Sequence, residues 1–139
     1  MSYRLKNPTP LPLEDLAPHP EIFAQRSRLH GQAHVSRVII HALVLADVLG
    51  LEKLTARVWA AAYIHDIGRR HDGICTDHGQ FAMERVATLP CLKSLLAEGG
   101  VSDEDWAAIT VAVENHCRKE ILRTHPHWTL TAVLKDADA

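Results

Sequence analysis

The 139-residue sequence predicts a single all-α domain, a compact bundle of about five to seven helices. Apolar residues recur at helical spacing along most of the chain, and no stretch shows the strict alternation of a half-buried strand. The length is sufficient for one domain with a substantial core and too short for two. With 47% hydrophobic and 23% charged residues, the composition is typical of a globular protein.

The composition also limits the partners that we expect. The net charge is −2 and the pI is near 6.5, so no basic field indicates non-specific binding of nucleic acid. No apolar run approaches the roughly 18 residues of a membrane helix, and the N-terminus lacks the apolar core of a signal peptide. The three cysteines form no CxxC pair, which is typical of free thiols in a reducing compartment. We therefore expect a cytoplasmic protein that binds neither nucleic acid nor membranes; the sequence does not predict its oligomeric state.

The first half of the chain is predicted to form an arm and two strong helices. Five of the seven prolines lie in residues 1–20, and proline fixes φ and lacks an N–H, so we expect an extended arm lying on the domain. A weakly helical pattern follows over 21–29. Apolar stripes then predict helices over about 32–49 and 51–67, and each is followed by a glycine, as is typical of a helix C-terminus.

The second half begins with a polar, charged stretch over 69–76, which is predicted to be a loop. Asp77, with Gln80 three residues later, has the form of a capping box. A helix is therefore expected over 78–89.

Three further helices are expected in the remainder of the chain. Pro90 interrupts the preceding helix, and a short one is predicted over 91–97. Ser102, followed by Asp105, is typical of a helix start. A last helix is predicted from about Trp128 to the C-terminus.

Histidine is the unusual component of this sequence, because its ten copies outnumber Phe, Tyr and Trp together. It is also the commonest metal ligand in proteins. Four predicted helices each place a histidine on an inward face: His34, His65, His78 and His116. A fifth predicted helix places Asp136 at the edge of its apolar face. Asp66 falls on an apolar side of its helix. Buried imidazoles and carboxylates that are satisfied only by one another are costly, and one or two divalent ions remove most of that cost.

Each of these residues also has a simpler interpretation. A single histidine on an apolar face is more often a hydrogen-bonded core residue than a ligand. Asp66 could form an ion pair with Arg37 or Arg69, and Asp136 could lie on the surface. The convergence of all of them favours a metal, and nitrogen and carboxylate ligands suit Mn, Fe, Co, Ni or Zn better than Ca or Mg. Cys117 points about 100° away from its histidine neighbour and is interpreted as packing.

The ligand candidates also occur in the order of a known family. The words HGQAHVSRV, AAYIHDIGR and VLKDADA, around His34, the His65-Asp66 doublet and Asp136, resemble the HD-domain superfamily of metal-dependent phosphohydrolases. The resemblance covers the chain from about residue 29 to the C-terminus. It implies an HD-type helical bundle, with one metal ion held by His34, His65, Asp66 and Asp136. Members usually continue beyond the last aspartate, so a truncated C-terminus is one expectation.

A subset of this superfamily adds two histidines and binds two metals, with the aspartate of the doublet as the bridge. His78 and His116 lie where those ligands would fall, and the resemblance leaves open whether they are ligands, outer-sphere groups or substrate-binding groups. Two narrower groups are not indicated. The GYP signature of cyclic-dinucleotide phosphodiesterases is absent, and Arg69 stands where alarmone hydrolases and 5′-deoxynucleotidases carry an acidic pair.

The resemblance implies hydrolysis of a phosphate ester, with a nucleotide as the expected substrate, by a metal-activated water. Asp66 would bridge two ions or orient the water, and His78 or His116 would protonate the leaving oxygen if it is not a ligand. Several cations are candidates for binding the phosphate: Arg37, Arg69 and Lys135 first, then Arg70, Arg118 and Lys119. Two alternatives stay open, a di-iron oxygenase of the same superfamily and a regulatory domain without catalysis.

Overall fold

The computed structural model describes residues 4–118 and 123–139, and these ranges fold into a bundle of α-helices. Its six α-helices are α1 Gln32–Val48, α2 Thr55–Ile64, α3 His78–Thr88, α4 Pro90–Glu98, α5 Trp106–Asn115 and α6 Trp128–Asp138. Short 3₁₀ helices cover Leu13–Asp15, Pro20–Ile22, Glu52–Leu54 and Asp103–Asp105. Among the described residues, no helix combines the length and the apolar character needed to cross a membrane. No strand occurs in these ranges, so the predicted all-α bundle is confirmed.

Helix α2 lies at the centre of the bundle and packs against α1, α5 and α6. Every residue from 58 to 64 is buried, because this segment is apolar on all sides and its three alanines let the neighbouring helices approach closely. The N-terminal segment lies on the same core. Leu16 and Ala17 are buried, and the indole N–H of Trp59 donates a hydrogen bond to the carbonyl of Leu16 at 2.9 Å.

The second predicted helix is shorter and more divided than the periodicity indicates. A 3₁₀ helix, Glu52–Leu54, precedes α2, and α2 ends at Ile64, three residues before the predicted end. The N–H of Ile67 donates to the carbonyl of Ile64 at 3.3 Å, which is the three-residue bond of a tightened helix end. His65 and Asp66 therefore lie just beyond α2 rather than inside its last turn.

Gly68 is required by packing, since its φ is not positive. A Cβ built there would lie 2.2 Å from the backbone nitrogen of Ala82 and 2.3 Å from the carbonyl carbon of Phe81, both in α3. Any side chain at this position would push α3 away from the end of α2. The glycine thus sets how closely the two elements that carry the doublet and His78 approach each other.

The predicted helical tendency over 21–29 is wrong. A 3₁₀ helix, Pro20–Ile22, is followed by bends. The reason lies in α3, where the guanidinium of Arg85 donates to the carbonyls of residues 21, 22 and 23. Arg85 therefore satisfies these carbonyls without the hydrogen bonds of a helix.

The predicted helix starts have mixed outcomes. Asp77 makes no side-chain cap on α3, so the capping box predicted there is wrong. The start at Ser102 is confirmed, because its N–H donates to Asp105 Oδ2 at 2.7 Å. Helix α4 begins at Pro90 itself, a position where the missing N–H costs nothing.

Candidate metal centre

Six polar side chains from five helix ends meet at one point of the bundle. They are His34 in the first turn of α1, His65 and Asp66 after α2, His78 at the start of α3, His116 after α5, and Asp138 at the end of α6. His65 is fully buried, and Asp66 is 2% exposed. The convergence of inward imidazoles that the sequence predicts is therefore present in the structure.

The two oxygens of the Asp66 carboxylate face different pairs of imidazoles. Oδ2 lies 3.0 Å from His34 Nε2 and 3.3 Å from His65 Nε2. Oδ1 lies 3.3 Å from His78 Nε2 and 3.8 Å from His116 Nε2. Although it is buried, Oδ2 has no hydrogen-bond partner among the described residues.

Asp138 rather than Asp136 is the acid that α6 contributes. Its Oδ1 lies 3.1 Å from His34 Nε2 and 3.3 Å from His65 Nε2. The predicted ligand Asp136 is exposed, because a separation of two residues corresponds to about 200° around a helix. The buried stripe of α6 advances by four residues from Leu134 to position 138, so the sequence did contain a signal for the correct aspartate.

Three of the imidazoles share one local geometry, which determines their tautomer. The Nδ1 atoms of His65, His78 and His116 lie 2.6, 2.8 and 2.5 Å from the carbonyl oxygen three residues earlier in the chain. A carbonyl only accepts, so each Nδ1 carries a proton, and in the neutral ring Nε2 presents its lone pair. The Nε2 atoms of His78 and His116 are 2.8 Å apart. Such a contact requires a positive charge between the rings, either a proton or a metal ion.

Without a metal, the carboxylates raise the pKa of three imidazoles. The hydrogen bond to Asp138, and then the nearby carboxylate of Asp66, raise the pKa of His34 to about 9. Burial lowers the pKa of His65, but the charges of both acids outweigh it and bring the pKa to about 10. Burial also opposes the shift at His78, where the hydrogen bond to Asp66 contributes to a pKa of about 10. The metal-free site therefore takes up protons at neutral pH.

The remaining groups shift in the opposite direction. Burial lowers the pKa of His116, which keeps this imidazole neutral. Burial raises the pKa of Asp66, but His65 and the other imidazoles outweigh it and hold that pKa well below the usual range. The pKa of Asp138 is likewise depressed, since burial is outweighed by hydrogen bonds to imidazoles. Both acids stay ionised and attract cations.

Of the predicted phosphate-binding cations, Arg69 lies at this cluster. Its Nε donates to Asp66 Oδ1 at 3.2 Å, and its Nη1 donates to the carbonyl of Gly73 at 3.2 Å. The guanidinium is thus a positioned positive charge on the same oxygen that faces His78 and His116.

The other predicted cations have different surroundings. Arg37 is exposed on α1. The Nζ of Lys135 donates to the carbonyl of Arg118. Arg70 stacks over an aromatic ring of α3, 3.7 Å from the ring centroid. Lys119 falls outside the described residues.

Cys117 lies beside His78 and His116, although the sequence predicts only a packing role for it. Its Sγ and the ligand nitrogens of His78 and His116 all lie within 4.8 Å of one another. The prediction assumed a helix that continues through position 117. Helix α5 ends at Asn115, and the turn that follows directs the thiol toward the imidazoles.

A polar contact at the rim of the cluster was not predicted. The hydroxyl of Ser27 donates to Asp72 Oδ1 at 2.6 Å, and the same oxygen lies 2.9 Å from His30 Nδ1. The His30 ring packs edge-on against His34, with centroids 5.5 Å apart. Because these side chains come from two segments without regular structure, no periodicity in the sequence could indicate that they meet.

Searches against protein-family models, curated proteins and solved structures found no match to this chain.

Proposed function

We propose that the chain is a metal-dependent phosphohydrolase of the HD-domain superfamily, acting on a phosphate ester, with a nucleotide as the expected substrate. The observation that carries this proposal is the unsatisfied Oδ2 of Asp66, which is buried within 3.3 Å of two imidazole nitrogens. A buried carboxylate oxygen without a donor is costly, and a divalent cation satisfies it together with the lone pairs around it.

The donor set around that oxygen fits a transition metal. The ligand atoms of His34, His65, Asp66 and Asp138 all lie within 4.8 Å of one another. Two imidazole nitrogens and two carboxylate oxygens suit Mn, Fe, Co, Ni or Zn. The Nδ1–H of His65 donates to a backbone carbonyl, which is the outer-sphere bond that usually orients a histidine ligand.

A second ion would be held by His78, His116 and Oδ1 of Asp66. Arg69 already places positive charge on that oxygen at 3.2 Å. We therefore expect the first position to fill at a lower metal concentration than the second.

When bound, the metal supplies hydroxide near neutral pH and neutralises charge on the phosphoryl oxygens. Asp66 orients the attacking water through its buried carboxylate. Arg69, fixed by the carbonyl of Gly73, binds a phosphoryl oxygen at the edge of the cluster. Where the second position holds no ion, the protonated Nε2 of His78 donates to the leaving oxygen.

The two aspartates of α6 provide a matched test. Protein purified without chelator is expected to contain at least one equivalent of transition metal and to release phosphate in a screen of nucleotides and general phosphodiesters. Asp138→Asn should lose the metal and reduce turnover by at least about 100-fold, because a ligand is lost. Asp136→Asn should retain both, since this side chain is exposed.

Three results would contradict the proposal. Less than one equivalent of metal after reconstitution would favour a regulatory domain without catalysis. Consumption of O₂ by iron-reconstituted protein with a polyol or organophosphonate, without phosphate release from any nucleotide, would replace hydrolysis by oxygenation. Equal effects of the two α6 variants would show that the site is not built around Asp138.

A further inference from the structure

We propose that Cys117 is a ligand of the second metal position, which becomes a mixed imidazole, carboxylate and thiolate site. The inference rests on the proposed function in one respect, since it requires a metal centre at this cluster. The second position then differs in kind from the first, whose donors are imidazoles and carboxylates alone.

The geometry brings one sulfur and two nitrogen donors together and places a carboxylate oxygen beside the two nitrogens. The Sγ of Cys117 and the ligand nitrogens of His78 and His116 lie within 4.8 Å of one another. Asp66 Oδ1 lies 3.3 and 3.8 Å from the same two imidazoles. Two nitrogens, one sulfur and one oxygen make up the four donors of a tetrahedral site.

The imidazoles are already prepared to bind an ion. His78 and His116 are 4% and 6% exposed, and their Nε2 atoms face each other rather than water. Metal–nitrogen and metal–sulfur bonds of roughly 2.0 and 2.3 Å place tetrahedral ligand atoms about 3.3–3.6 Å apart. The observed nitrogen–nitrogen separation is 2.8 Å, and the sulfur is within 4.8 Å, so small rotations about side-chain bonds complete the site.

Cys117 can leave its present partner at little cost. Its Sγ donates to the carbonyl of Thr76 at 3.1 Å, and this contact is exposed. Water can therefore replace the thiol on that carbonyl when the sulfur loses its proton to bind the ion. Ligand softness then separates the two positions, and we expect the second one to prefer Zn²⁺ or Co²⁺ over Mn²⁺.

Cobalt provides the test, because a thiolate ligand gives Co²⁺ an intense charge-transfer band in the near ultraviolet. The full chain titrated with Co²⁺ is expected to show this band as the second equivalent binds. Cys117→Ser should abolish the band and weaken the second equivalent by at least about tenfold, while the first equivalent binds as before. Cys75→Ser and Cys91→Ser are the matched controls, and both should keep the band.

The outcomes separate this inference from the proposed function. Two bound equivalents without the band, or a band that survives in Cys117→Ser, would overturn the thiolate ligand. So would a single bound equivalent without the band in a protein that hydrolyses phosphate esters, and the proposed function would then stand. Protein that binds no cobalt and releases no phosphate would overturn both. Circular dichroism of the serine variants verifies that each remains folded.

Discussion

Asp66 is the side chain on which both halves of the cluster depend, because each of its oxygens faces a different pair of imidazoles. We expect Asp66→Ala to lose metal and to reduce turnover below detection. The helical fold should persist, since without the carboxylate the buried imidazoles lose their protons and keep their bonds to backbone carbonyls. Metal analysis and far-ultraviolet circular dichroism measure the two effects.

Asp136→Ala is the control for that variant, because it removes an exposed carboxylate from the same molecule. It should leave the metal content unchanged and change the free energy of unfolding by less than about 0.5 kcal/mol. Unfolding of Asp66→Ala at room temperature would identify this aspartate as a structural ion-pair partner instead.

A site residue could be predicted from the sequence where the helical repeat determines which face of a helix it lies on. His65, His78 and His116 continue apolar stripes, and the structure buries all three. Asp138 continues such a stripe too, whereas the resemblance to the HD-domain superfamily indicates Asp136. Cys117 could not be placed, since its direction depends on where α5 ends, and periodicity does not determine helix ends to within a residue.

Among the elements, α3 and α5 approach so closely that a glycine is needed between them. A Cβ built on Gly79 would lie 2.0 Å from the carbonyl oxygen of Val113 and 3.0 Å from the Cα of Glu114. Gly79→Ala should therefore destabilise the fold by about 1–3 kcal/mol and move His78 away from His116. Urea unfolding measures the first effect, and the affinity for the second equivalent of Co²⁺ measures the second.

Gly73→Ala is the corresponding control, because the nearest atom to its Cβ would be a ring nitrogen of exposed His71 at 3.2 Å, which can move aside. We expect a change of less than about 0.5 kcal/mol. If Gly79→Ala is equally mild, the approach of α3 to α5 does not position the two imidazoles.

The order and type of the helices could be predicted from the sequence because apolar periodicity and glycine or proline punctuation specify them locally. The segment over 21–29 could not, since its carbonyls bind Arg85, which is more than 60 residues distant. Long-range side-chain contacts of this kind override weak local tendencies. The same limit applies to the rim contact between Ser27 and Asp72.

For the whole molecule, protonation of the metal-free site makes stability depend on pH. His34, His65 and His78 have pKa values of about 9 to 10 in the folded protein, above the ordinary 6.5. Their protonation therefore contributes its full stabilisation below pH 6.5, and this contribution is lost as the pH rises through 9 and 10. The depressed pKa of Asp66 stabilises the fold above 3.8 and is lost at lower pH. The lowered pKa of His116 opposes this below 6.5, because the buried ring resists the charge that the unfolded chain takes up. With three raised histidines against one lowered, chelated protein should melt at a higher temperature near pH 6 than at pH 10, and calorimetry across pH 4 to 10 tests this.

Bound metal would reverse the upper part of that pH profile, because ligation requires neutral imidazoles and displaces their protons. The apparent affinity should rise with pH from about 6 to 9, and the loaded protein should not lose stability over that range. The number of protons released when metal is added to weakly buffered protein measures this displacement independently. Equal melting temperatures of the chelated protein at pH 6 and pH 10 would contradict the assigned protonation.

His34 lies in the first α-helix of the described chain and Asp138 in the last, so an ion bound by both would join α1 to α6. These two residues are 104 positions apart in the sequence. An ion that binds only the folded chain stabilises it by mass action, by about 2.7 kcal/mol when the free metal concentration is 100 times Kd. Removal of the ion would therefore lower the free energy of unfolding, and the metal-free protein would populate more often the open states that proteases cleave.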